Sequence, residues 1–91
     1  MTSSTKTEHQ RSMITRLRRI EGQLRGVQGM IESDKSCEAV AQQLAAARKA
    51  LDRAFYEMLA CSMEIEMENA ANARGAKAAA AKVTKILAKY G

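Results

Sequence analysis

The chain has no proline and no tryptophan, and only three of its 91 residues are aromatic. Without proline, no residue lacks its backbone N–H, and nothing of that kind interrupts a helix. No glycine occurs between Gly29 and Gly75 either, so the middle of the chain is free of both breakers. An Ala, Leu, Ile and Met core without tryptophan suits closely spaced helices rather than a sheet sandwich. There is no run of about 18 apolar residues, so no membrane span is expected. Met1 to Glu8 is polar and lacks the apolar core of a signal peptide, which predicts a cytoplasmic protein. Two cysteines in such a chain point to reduced, reactive or metal-binding thiols rather than a structural staple. No base, nucleophile orienter or oxyanion donor set assembles around either thiol, so the chain is not expected to be an enzyme.

What the sequence does contain is a long heptad seam from Ser36 to Asn69. Cys37, Val40, Leu44, Ala47, Leu51, Ala54, Met58, Cys61 and Ile65 step alternately by three and four, the spacing of one helical face. At ~1.5 Å per residue this helix reaches roughly 50 Å, more than a small chain can cover alone. Further copies of the protein are therefore expected along the seam. The two thiols would lie ~36 Å apart on one rod, so any chemistry they share must be shared between chains.

Residues 1–8 read as a disordered N-terminal arm and 9–91 as a single helical domain. A first helix is expected from about Lys6 to Ser33, with Met13, Leu17, Ile20, Leu24, Val27 and Ile31 on its apolar face. Gly22, Gly26 and Gly29 weaken that helix, and their small-residue spacing suggests close approach of a neighbouring helix. Ser33-Asp34-Lys35-Ser36 holds three capping residue types, and so short a break predicts an antiparallel helical hairpin. A second break is expected over Ala70–Gly75, with Gly75 in a left-handed turn. A third helix then runs to about Lys89, burying Ala79, Val83, Ile86, Leu87 and Tyr90.

Cys37 falls in the first turn of the long helix, where free N–H groups and the helix dipole favour an anion. It reads equally as a reactive thiolate, a metal ligand or a small buried side chain. Around Cys61 the thioethers of Met58, Met63 and Met67 alternate with Glu57, Glu64, Glu66 and Glu68; soft sulfur would suit Cu(I), and mixed ligands zinc. No CxxC or HxxxH spacing exists, so a self-contained metal motif is absent. His9, the single histidine, reads as an exposed imidazole or a ligand brought in from the N-terminal arm. The net charge of +5 and pI of 9.6 make nucleic acid a candidate partner. Arg16 and Arg19, Arg18 and Arg25, and Lys49 and Arg53 fall in pairs on single helical faces, where they could contact phosphates.

Taken together, these parts resemble the copper-sensitive operon repressor family of small bacterial regulators that sense metals, formaldehyde or persulfide. The resemblance spans about residues 9–90. It is carried by Arg16-Leu-Arg-Arg-Ile-Glu-Gly-Gln-Leu, Gly26-Val-Gln-Gly-Met-Ile-Glu-Ser-Asp with Cys37, Gln42-Gln-Leu-Ala-Ala-Ala-Arg-Lys-Ala-Leu-Asp-Arg-Ala, and the short third helix. It implies an all-α, three-helix protomer with a long central helix, an antiparallel four-helix-bundle dimer and a dimer-of-dimers tetramer. Such an assembly represses transcription by binding double-stranded operator DNA and is released by an effector. Arg16 and Arg53 match the family's DNA-contact arginines, which Arg18, Arg19 and Lys49 would extend, and Cys37 matches its sensing cysteine.

The departures narrow the effector. Copper members complete their site with a histidine and a second cysteine where this chain has Ser62 and Glu66. The tyrosine before the sensing cysteine is Ser36, and the third-helix glutamate falls near Lys82. Nickel and cobalt members need several histidines, and formaldehyde members an N-terminal proline. Persulfide members use two cysteines, though Cys61 lies about one turn early. The expectation is a thiol-sensing repressor pairing Cys37 with Cys61 of the partner chain, with no cofactor. The alternatives are a zinc or Cu(I) sensor using Cys37, Cys61, Glu66 or His9, and a helical protein-interaction module.

Overall fold

A computed structural model describes residues 2–91; Met1 and the side chains of residues 2–5 lie outside that description. Three helices account for nearly all of it: α1 (Thr2–Glu32), α2 (Cys37–Asn69) and α3 (Ala73–Tyr90). The backbone is helical from Thr2, ahead of the expected start at Lys6. The side chains of the first five residues of the expected disordered arm fall outside the described part.

The first turn is built by the residues that predicted it. Asp34 adopts φ 59°. Lys35 N–H donates to the Met30 carbonyl and Asp34 N–H to that of Ile31, at 2.9 and 3.1 Å. That pair of bonds with a left-handed residue is a Schellman termination, and aspartate is among the few non-glycine types that tolerate it. Ser36 then caps α2, its side chain accepting from Ala39 N–H at 3.1 Å. The second break departs from expectation. Gly75 is not in a left-handed turn but inside α3, where its N–H donates to the Asn72 side chain at 3.0 Å. Asn72 is the cap, so the helix starts earlier than a glycine-terminated turn would allow. A Cβ on Gly75 would come within 3.3 Å of the Ala70 Cβ.

Helix α2 is central; α1 and α3 both pack on it and not on each other. The three helices lie in one layer, 57 × 27 × 11 Å across its Cα atoms. Because the layer is only one helix thick, the heptad seam splits into two lines with different fates. On α2, Ala47, Ala54 and Cys61 are buried against the hairpin, whereas Leu44, Leu51 and Met58 remain nearly half exposed. On α1, Met13, Ile20 and Val27 are buried while Leu17, Leu24 and Ile31 are exposed. Domains bury their apolar faces between packed layers, and the second layer is missing from a lone protomer. One further expectation is corrected. Leu87 and Tyr90 on α3 are exposed rather than buried. Nothing lies within 4 Å of where a Cβ would stand on Gly22, Gly26 or Gly29, so no helix of the same chain approaches them closely.

Candidate functional site

The antiparallel hairpin brings the middles of α1 and α2 side by side, and with them four of the six basic residues singled out by spacing. Arg16 and Arg19 from α1 and Lys49 and Arg53 from α2 line a single shallow cleft, floored by Ile20, Ala46 and Ala50. Arg18 does not join them; it lines a separate depression with Gln10, Arg11, Ile14 and Thr15. Four basic residues from two helices thus line one depression. Such an arrangement can hold phosphate groups at fixed spacing.

Sequence reasoning missed what anchors this cleft. The Glu57 carboxylate accepts from Arg16 Nε at 2.9 Å and from Ser12 Oγ at 2.8 Å. This pair ties the Arg16 guanidinium to α2 through its Nε. Two turns further along α2, Glu64 takes His9 Nε2 at 2.8 Å. Helical spacing carries the signal: Glu57 and Glu64 are seven residues apart, as are His9 and Arg16, in register across an antiparallel pair. His9 is thus a bridging side chain between α1 and α2 rather than an idle imidazole.

Cys37 and Cys61 occupy different environments. Cys37 is the first residue of α2 and exposed; Cys61 is 5% exposed, on the same buried line as Ala47 and Ala54. They stand 24 residues apart on one straight helix, about 36 Å, so the protomer alone does not bring them together. Among the described residues no group of three His, Cys, Asp or Glu side chains could hold a metal ion. Glu66 is already bound by Lys82, with Nζ 2.6 Å from Oε1, and His9 by Glu64. The residues of one chain therefore do not fit a metal, and any such site would have to be assembled between chains. No described helix is long and apolar enough to cross a membrane.

A sequence profile described as "Metal-sensitive transcriptional repressor" matches residues 9–89. The chain is similar to the copper-sensing transcriptional repressor CsoR of Bacillus subtilis (strain 168), 37% identical over 64% of this chain and 58% of the relative. It is also similar to the copper-sensing transcriptional repressor RicR of Mycobacterium tuberculosis, 47% identical over 50% of this chain and 47% of the relative. The chain thus spans about half the length of these curated relatives. No solved structure matches it.

Proposed function

The chain belongs to the metal-sensitive transcriptional repressor family, a family of DNA-binding regulators and not of enzymes, and from that premise we propose how this member works. It binds operator DNA through the cleft of Arg16, Arg19, Lys49 and Arg53, doubled by assembly into dimers and tetramers. The single observation that carries this reading is the convergence of those four cations from two helices onto one mouth. Assembly is supported by the exposed line of Leu44, Leu51 and Met58 beside that of Leu17, Leu24 and Ile31, which a second copy would cover.

The effector acts at Cys37 together with Cys61 of the partner subunit. Cys37 is accessible and reacts first. Cys61 is buried within the protomer, so reaching it requires the helices packed around it to part. Parting them strains the Arg16–Glu57 and His9–Glu64 bridges and disperses the basic cleft, which releases DNA. With a peroxide as oxidant, two thiols give one disulfide and the peroxide leaves as water; with a polysulfide one sulfane sulfur stays in a trisulfide bridge while another takes up the electron pair and the thiol protons and leaves as hydrogen sulfide.

A metal-sensing reading is favoured by the family description and by the printed function of both relatives. Against it stand the hard ligand types at Ser62 and Glu66, since Cu(I) selects soft sulfur, and the Lys82–Glu66 ion pair. One experiment separates them. The wild type, Cys37→Ala and Cys61→Ala are assayed for binding to the promoter of their own operon after treatment with peroxide, polysulfide, Cu(I) or Zn. The thiol reading expects release by peroxide or polysulfide, lost in both variants, with a reducible crosslinked dimer on gels. An unchanged response in Cys61→Ala eliminates the paired switch, and stoichiometric metal at nanomolar affinity with metal-driven release replaces it by a metal sensor.

A further inference from the structure

The basic character of this protein is not distributed over the chain. All ten Asp and Glu residues precede residue 73, and the fifteen Lys and Arg residues divide into ten before it and five within α3. Residues 1–72 are therefore neutral in sum, and α3 carries the whole +5. At about 100° per residue, Arg74, Lys77, Lys82, Lys85 and Lys89 share one arc of roughly 140°, while Ala79, Val83 and Ile86 lie on the opposite side. The structure agrees: Ala79 and Val83 are buried against α2 and all five basic residues are exposed.

We propose that the solvent face of α3 is a second phosphate-contacting surface for duplex DNA, separate from the α1–α2 cleft. The row from Arg74 to Lys89 is about 22 Å long, enough to follow several phosphates of a backbone. Lysine is suited to this as a mobile point charge that displaces counterions without reading bases. Charge complementarity selects a polyanion, and membership of a DNA-binding family selects the duplex. A membrane surface fits less well: an interfacial helix buries its apolar side in lipid, and here that side is already occupied by α2. Lys82 holds Glu66 and so belongs to the α2–α3 contact; Lys77, Lys85 and Lys89 are the residues assigned to phosphate. This surface contributes affinity without sequence preference.

The proposal rests on the repressor reading, and the test keeps the two apart. The full-length wild type and a Lys77→Gln/Lys85→Gln/Lys89→Gln variant are titrated, at several salt concentrations, against an operator duplex and a scrambled duplex of equal length. Lys49→Gln/Arg53→Gln serves as the cleft control. Helix content and sedimentation are measured alongside. The expected result is a tenfold or greater loss of affinity in the α3 variant for both duplexes, with their ratio unchanged. The slope of log affinity against log salt should fall by about 0.9 for each lost phosphate contact. The cleft control should lose affinity by its own increment, additive with that of the α3 substitutions. An α3 variant indistinguishable from wild type on both duplexes overturns the proposal and leaves the repressor reading standing. A wild type that binds neither duplex overturns both. Binding to phosphatidylglycerol vesicles that depends on these lysines, with duplex binding unaffected, reassigns the face to membranes and also overturns it. Should the triple variant lose helix content, Lys85→Gln alone carries the same test through its own salt slope.

Discussion

Glu57 is the residue on which the cleft turns, because it holds Arg16 while lying beside the surface assigned to DNA. Its ion pair with Arg16 is partly exposed, at 35% and 21% for the two side chains, so its contribution to stability is about 0.5–1 kcal/mol. Glu57→Gln removes a negative charge next to the phosphate-binding mouth. Although that charge opposes phosphate, losing the bridge that anchors Arg16 should lower operator affinity roughly threefold, or ~0.6 kcal/mol, and lower the unfolding midpoint slightly. Anisotropy titration and thermal melting by circular dichroism check both signs. Asp34 is the other residue with a single decisive property. Its positive φ is costly for a β-branched side chain, so Asp34→Val should destabilise the fold by about 1–2 kcal/mol. A chemical denaturation series measures that directly.

At the scale of elements, α1 contains three glycines along a face that no part of the protomer covers. Glycine within a helix costs up to ~1 kcal/mol relative to alanine. Gly22→Ala and Gly26→Ala should each stabilise the protein by about that amount, and thermal melts read it as a rise of several degrees. A loss of assembly in either variant, seen by sedimentation, would show instead that another copy packs there. Helix α2 serves two surfaces at once: its buried line joins the hairpin and its exposed line awaits a second layer. That division also separates the thiols, Cys61 being buried and Cys37 exposed at the start of the helix.

For the whole molecule, the decisive quantity is thickness. A layer 11 Å deep in its Cα atoms cannot bury both apolar lines of α1 and α2, and among the described residues no large side chain is fully enclosed. A Leu44→Lys/Leu51→Lys variant changes only residues that are exposed in the lone protomer. If the protomer is complete alone, this variant should be well tolerated; if assembly covers the line, it should sediment at lower mass and lose helical structure. We expect the second outcome, since two cations placed between packed layers would be desolvated without partners.

How much of this was written in the chain is clearest at particular residues. Ser36 and Asp34 are local signals, and capping depends on a few neighbouring backbone groups, so the bounds of α2 could be read from composition alone. The three-helix hairpin followed in the same way from periodicity and short breaks. Gly75 misled because an asparagine three residues earlier caps the helix first. Periodicity could establish that Ala47, Leu51, Ala54 and Met58 share a face, but not which of two adjacent lines meets α1 and which stays open. That choice depends on how the hairpin rotates about its own axis, a property of side-chain packing between elements rather than of spacing within one. The meetings of Arg16 with Glu57, His9 with Glu64 and Glu66 with Lys82 depend on the same rotation. Only the tertiary structure decided them, because each joins residues that no local interaction holds together.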